Sequence, residues 1–318
     1  RITRSMTPEA WWNRRLEWAK SVMTDCFTNG FGSSKKIEPH LGQGLTHLLS
    51  RPGSLVRAVT AYLIGLEMGL VDEAAKALAC GIEYLHTASL VFDDLPAMDD
   101  ARMRRGVPCL HVVQGETIAI LAALALVNRG YSMLWQAISQ AQSGERMRRA
   151  GEMVDECLGV HGVIGGQAMD LRGAGNDSSV ADVTEVAARK TGDLLRLALA
   201  LPAIVCNGTD REIRLLNRIG LMRGLAYQAA DDLKDVLGAE EETGKTASRD
   251  QTLGRPNLIL AEGFQATLRR FSRLRRLGDR MQGALPGSRE RWGMLSPLRV
   301  TLPVRAEMVG SPVIMNAV

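Results

Sequence analysis

The chain has 318 residues, 46% of them hydrophobic and only 4% aromatic, with a formal net charge of +4. The positive excess is local: residues 255–305 carry eleven arginines against Glu262, Asp279 and Glu290, and so few aromatic residues interleave them that a nucleic-acid stacking platform is excluded. Five widely spaced cysteines argue against a disulfide framework or a zinc site and favour a reducing cytoplasm.

Helical periodicity dominates the predicted elements. After the break Arg51-Pro52-Gly53-Ser54, apolar residues recur at three- and four-residue spacing over Leu55–Leu70 and Glu73–Phe92. They recur again over Gly115–Ala141, Arg146–Gly162, Val180–Asn207 and Asp210–Leu237. Charge-free apolar runs such as Ile118–Val127 are too short to span a bilayer, and no secretory signal is read at the start. Gly173–Ser179 and Ala239–Pro256 read as polar loops. Leu268, Phe271, Leu274, Leu277 and Met281 form one apolar stripe with most of the arginines on the other face. Strand alternation is nearly absent. The expectation is an all-α fold, a single helical bundle around a central cavity over residues 1–292, with an irregular C-terminal tail over 293–318.

Two acidic clusters carry the chemistry: Asp93-Asp94-Leu-Pro-Ala-Met-Asp99-Asp100 and Asp231-Asp232-Leu-Lys-Asp235. Carboxylates about 5 Å apart repel by roughly 3 kcal/mol per pair at an effective dielectric of about 20. Gathering them at one cavity therefore calls for a counter-charge, and hard divalent cations with oxygen ligands supply it. The expected site is magnesium split between two distant helices. Asp231 and Asp235 share a helix face at four-residue spacing, with Asp232 about 100° round. Asp93 and Asp99 are six apart, so Pro96 must end or kink the helix for Asp99 to return toward Asp93. The bland alternative for either cluster alone is a solvated acidic helix end. The apolar residues interleaved in the first cluster suit a cavity mouth better.

Arg104-Arg105-Gly106 follows closely. Read as helical neighbours, the two arginines point to different sides and suit two anions, since guanidinium forks match phosphate oxygens. Lys190-Thr191-Gly192 lies in an apolar helix, where a buried lysine needs an anion. Gly165-Gly166-Gln167 and Asp170 fall mid-helix, where the glycines permit close helix approach and a packing role stands level with a site role. Gln228 is about one turn before Asp231. Lys245, Arg249 and Arg255 sit in the charged loop, where they could fold over diphosphates or be ordinarily solvated.

Taken together, Asp-Asp-x4-Asp, Arg-Arg-Gly, Gly-Gln-x2-Asp, Lys-Thr and Asp-Asp-x2-Asp resemble the trans-isoprenyl diphosphate synthases from about Ser50 to Asn257. The stretch from His86 to Asp100 is most similar to geranylgeranyl diphosphate synthases. The resemblance implies the isoprenoid synthase fold, a homodimer, Mg2+ as cofactor, and isopentenyl and allylic diphosphates as substrates. By position, Asp93, Asp99 and Asp231 would be the main metal ligands, supported by Asp94, Asp232 and Asp235. Arg104, Lys190 and Lys245 would hold the allylic diphosphate, with Arg255 retaining charge where lysine is common. Arg57, His86 and Arg105 would hold isopentenyl diphosphate, and Thr191 and Gln228 would face the developing carbocation. Ala88 and Ser89, both small, would let the chain grow past them toward a floor at Tyr84 and Leu85, giving a C20 rather than a C15 product.

One departure stands out: Gly53-Ser54 occupies the place of a glycine-lysine pair, which predicts weakened isopentenyl diphosphate binding and keeps open a weakly active or noncatalytic partner subunit. A class I terpene cyclase is disfavoured, because its second metal motif needs Ser or Thr and then Glu where Asp235 and Ala239 stand. The arginine-rich helix is expected to be a solvated face or, at most, a peripheral membrane contact.

Overall fold

The computed structural model describes residues 6–173, 178–242 and 257–302, with main chain alone at residues 34 and 238–242. The expectation of helices is met. In chain order they are α1 (Pro8–Asn29), α2 (Pro39–Leu49), α3 (Val56–Glu67), α4 (Asp72–Asp94), α5 (Leu110–Ile138), α6 (Gly144–Leu158), α7 (Val163–Arg172), α8 (Val180–Ala187), α9 (Asp193–Val205), α10 (Asp210–Glu242), α11 (Leu258–Glu262) and α12 (Phe264–Gly283). Between α4 and α5 stands a small antiparallel hairpin, β1 (Met103–Arg104) and β2 (Val107–Pro108). Internal contacts divide the chain into two compact units: residues 1–154, 197–216 and 285–296, and residues 155–196, 217–284 and 297–318.

In the first unit α4 is the buried element. Its Ala, Leu and Ile residues leave almost no surface, and Gly81 lets α5 come close: a Cβ there would lie 2.8 Å from the Gly130 carbonyl oxygen. Tyr84 ties α4 to α1, its hydroxyl donating to the Phe27 carbonyl at 2.6 Å and its ring packing against Phe27 and Phe31. Among the described residues α5 is the one helix long and apolar enough, by length and composition alone, to cross a membrane. Gly115 (φ 85°) interrupts it, and Val113, Leu121, Leu124 and Trp135 remain exposed along it. Residues 289–298 form a 3-10 segment that buries Trp292, Met294 and Leu295. Regular structure thus runs past Gly293, where the sequence pattern dissolves, because three large apolar side chains there find a core; residues 303–318 lie outside the described residues.

The second unit is cored by Val183 of α8, Ala226, Ala229, Ala230 and Leu233 of α10, Leu258 of α11 and Phe271 of α12. Leu268 and Leu274 pack against that core, so the apolar stripe of α12 is spent internally and Arg269, Arg273, Arg276 and Arg280 face outward. Arg223 is buried on α10 and donates to Asp279 at 2.9 Å and Gln282 at 3.1 Å on α12. The predicted continuous helix Val180–Asn207 is instead broken by a π turn at Ala188–Gly192. Gly192 and Gly224 meet there so tightly that a Cβ on Gly224 would sit 2.6 Å from the Gly192 Cα.

Candidate active site

The first acidic cluster is shaped by the end of α4. The helix stops at Asp94, before Pro96, and the chain reverses: the Asp99 N–H donates to the Asp93 carbonyl at 2.9 Å and the Ala101 N–H to the Asp94 carbonyl at 3.1 Å. Asp99 therefore returns to Asp93 as the six-residue spacing requires. Asp93 and Asp99 are half-buried and Asp100 is exposed. Asp94 behaves differently. It is 5% exposed and both its oxygens are taken by the Arg104 fork, at 2.8 and 2.7 Å. That bidentate pair raises the Arg104 pKa and fixes its guanidinium beside the cluster.

The two arginines are not helical neighbours, which corrects the sequence reading. Arg104 ends β1, while Arg105 and Gly106 form the two-residue loop, both with positive φ (53° and 77°) as a type I′ turn requires. Gly106 supplies one of those conformations freely; Arg105 does not. The described non-glycine residues with positive φ are Leu55, Asp100 and Arg105, and each lies within two residues of a predicted site residue. Leu55 precedes α3, whose second residue is Arg57. The Arg105 guanidinium packs directly on Gly53, leaving no room there for a Cβ. Ser54 beside it is exposed.

Arg57 Nη1 lies 3.4 Å from His86 Nε2. A guanidinium can only donate, so Nε2 accepts and the ring proton belongs on Nδ1. That Nδ1 is buried without a partner among the described residues. Burial, followed by Arg57, Arg105 and Arg104, holds the His86 pKa well below the usual histidine value. His86 is thus a neutral hydrogen-bonding group among three arginines. On the same helix Ala88 is 1% exposed and the Ser89 hydroxyl donates to the His86 carbonyl at 2.6 Å. Tyr84, one turn below Ala88 on the same face of α4, is buried, and its hydroxyl is committed to α1.

In the second unit Asp231 is exposed by surface area, while crowding by surrounding protein raises its carboxyl pKa against the opposing charge of Lys234. Asp235, one turn on, is exposed. Asp232 is 1% exposed; Oδ1 accepts from Gln228 Nε2 at 2.9 Å and Oδ2 from the Leu258 N–H at 2.9 Å. Gln228 is therefore bonded to Asp232, which fixes its amide. Lys190 meets the anion its burial demanded, Asp170, at 2.6 Å. Lys190 and Thr191 both sit in the π turn, and a Cβ on Gly166 would lie 2.6 Å from the Arg189 Cβ, so that glycine is a packing device. Lys245, Arg249 and Arg255 lie outside the described residues.

Of the six aspartates predicted to hold metal, Asp93, Asp99, Asp231 and Asp235 thus keep surface, while Asp94 and Asp232 are spent on neighbours. No group of three or more His, Cys, Asp or Glu side chains is preassembled for a metal among the described residues. The available donors are carboxylate oxygens, which fit magnesium and not a soft metal.

A sequence profile of polyprenyl synthetases matches residues 38–282. The chain belongs to the polyprenyl synthetase family. It is 32% identical over 244 residues to geranylgeranyl pyrophosphate synthase 4 of Arabidopsis thaliana, covering 74% of this chain and 65% of that protein. It is 39% identical over 206 residues to geranylgeranyl pyrophosphate synthase 7, chloroplastic, of the same plant, covering 64% and 58%. This polyprenyl synthetase chain thus spans less than two-thirds of the length of those relatives. Among solved structures it resembles the geranyltransferase of Legionella pneumophila, with a TM-score of 0.78 at 18% identity, covering 95% of this chain and all of that one. It also resembles the geranyltransferase of Helicobacter pylori complexed with magnesium and isoprenyl diphosphate, with a TM-score of 0.75 at 24% identity, covering 93% and 98%. The isoprenoid synthase fold expected from the sequence is the fold observed.

Proposed function

We propose that this polyprenyl synthetase is a magnesium-dependent trans-prenyltransferase that condenses isopentenyl diphosphate with an allylic diphosphate, giving geranylgeranyl diphosphate (C20). The observation that carries the reading is the first cluster: Asp93 and Asp99 brought together by a main-chain bond, with Arg104 locked beside them on Asp94. The names of the plant relatives support the same product class.

In this reading Asp93, Asp99, Asp231 and Asp235 would be the magnesium donors. Bound magnesium supplies positive charge to the departing diphosphate. Arg104 and Lys190 bind the allylic diphosphate, and their carboxylate partners hold them in place beforehand. Arg57, Arg105 and neutral His86 bind the second diphosphate, with the His86 Nδ1–H available as a donor. The carbon–oxygen bond of the allylic substrate breaks, the isopentenyl double bond attacks the resulting cation, and the released diphosphate takes the lost proton. No side-chain base is required.

Small residues at Ala88 and Ser89 favour C20 over C15. The exposed apolar side chains of α5 support a homodimer, although one relative is the large subunit of a heterodimeric geranylgeranyl pyrophosphate synthase. Five cysteines, none in a disulfide, support a cytoplasmic setting. The deciding assay combines purified protein, magnesium and isopentenyl diphosphate with dimethylallyl, geranyl or farnesyl diphosphate, and reads product chain length. C20 product supports the reading, C15 the farnesyl alternative, and no product with any primer the noncatalytic partner subunit.

A further inference from the structure

Helix α12 carries six arginines and one acid, and the proposed reaction has no use for them. The acid, Asp279, is already taken by Arg223 at 2.9 Å and by Arg299 at 3.1 Å. Two of the arginines are spent as well: Arg270 forks onto Glu262 at 2.7 and 2.8 Å, and Arg275 lies over the Phe271 ring. The other four, Arg269, Arg273, Arg276 and Arg280, are exposed, and none of their side chains carries a hydrogen bond or ion pair among the described residues.

Their spacing decides what they can do. Steps of four, three and four residues keep all four within about 60° of one another on an α-helix, over a length of about 17 Å. The buried residues Thr267, Phe271 and Gly278 lie on the opposite side, and Leu268 and Leu274 pack against the core. The four arginines therefore form a ridge of positive charge directed away from that core. No large apolar side chain of α12 is exposed beside it. A specific protein partner would need such an anchor, since the well-packed, desolvated centre of an interface carries most of its affinity. A single-stranded nucleic acid would need aromatic rings for its bases to stack on. The ridge suits a broad surface of negative charge instead.

We propose that Arg269, Arg273, Arg276 and Arg280 form a docking surface for an anionic phospholipid membrane. Four or more basic residues clustered on a helix match lipid phosphates, and each one near such a surface strengthens binding about fivefold. Lipid is favoured over duplex nucleic acid because the product proposed above is a long apolar chain that partitions into a bilayer; in that respect the inference rests on that reading. The mode is adsorption, not insertion. An interfacial amphipathic helix buries its apolar face in the lipid, whereas α12 has already spent its own on Leu258 and the core residues of α8 and α10. Outside residues 255–305 the chain is acid-leaning, so the attraction is concentrated on this region.

The test is sedimentation of the full chain with vesicles of phosphatidylcholine alone, or of phosphatidylcholine and phosphatidylglycerol in equal amounts. The expected result is binding to the anionic vesicles alone, lost in about 1 M salt, where charges are screened beyond about 3 Å. The double variant Arg273→Gln/Arg276→Gln should weaken that binding about 25-fold, at about fivefold per arginine. Removing the same charge at Arg214 and Arg218, two exposed arginines of α10, should change it by less than about threefold. Equal losses in the two double variants would mean that net charge binds and not the stripe, and would overturn the proposal. So would no binding to anionic vesicles, binding that survives the salt, or capture of duplex DNA in place of vesicles. Prenyl transfer is assayed separately in vesicle-free buffer. The expected salt and variant pattern in a protein that makes no prenyl diphosphate would uphold the docking surface and sink the reaction alone.

Discussion

The two acidic clusters divide their labour in the same way but with different chemistry. In each adjacent pair the second aspartate turns inward, Asp94 at 5% exposure and Asp232 at 1%, and the first keeps its access. Asp94 meets a guanidinium, in a two-pronged pair that fixes a cation at the site. Asp232 meets an amide and a main-chain N–H, bonds that pin Gln228 and the start of α11. The repeated Asp-Asp dipeptide is therefore one accessible carboxylate, the proposed ligand, and one brace. In the first cluster the brace holds the Arg104 guanidinium; in the second it fastens secondary structure.

The largest expected effect separates ligand from brace. Asp93→Ala and Asp231→Ala should each lower kcat by about a thousandfold or more while the melting temperature holds, since both side chains keep access to solvent. Near-normal turnover in either would end the assignment. The braces should show the reverse balance. Asp94→Asn breaks a charge-assisted fork and should cost about 2–3 kcal/mol in urea unfolding, together with a raised KM for the allylic primer. Asp232→Asn keeps an acceptor oxygen and should cost about 1–2 kcal/mol, with little change in either KM. If Asp232→Asn proved the more harmful to substrate binding, the contrast between the clusters would be reversed.

Two smaller effects sharpen the picture around α4 and α3. Ala88→Tyr should shorten the product by one isoprene unit; chromatography showing an unchanged product would remove Ala88 from length control. Ser54→Lys adds a cation on an exposed residue next to the platform on which Arg105 rests. It should lower KM for isopentenyl diphosphate by about three- to tenfold, and an unchanged value would show that the missing lysine is not what limits binding.

Helix content and both clusters were legible from periodicity and spacing, because burial forces a 3.6-residue rhythm on apolar residues and Pro96 announces the end of α4. The sequence reading also asked for an anion near Lys190, and Asp170 is that anion. Other features left no readable trace. The Arg105-Gly106 turn looks like a helical pair until its positive φ angles are known. Tyr84 was expected at the floor one turn below Ala88; that its hydroxyl would be bonded to the Phe27 carbonyl could not be read from the sequence. The N-terminal helix α1 was missed because Trp, Arg and Lys blur its apolar rhythm, and α2 because Gly42, Gly44 and two histidines interrupt its leucines.

The π turn at Ala188–Gly192 holds one more residue than an ordinary turn, so α8 and α9 are out of phase by that single amino acid. Excising Thr191 would let the main-chain ladder close into a plain α-helix while the faces of α9 stay nearly where they are, because the widened turn absorbs its extra residue locally. The smallest in-frame deletion a genome can make would thus erase the widened turn that carries Lys190 without changing any other letter of the chain.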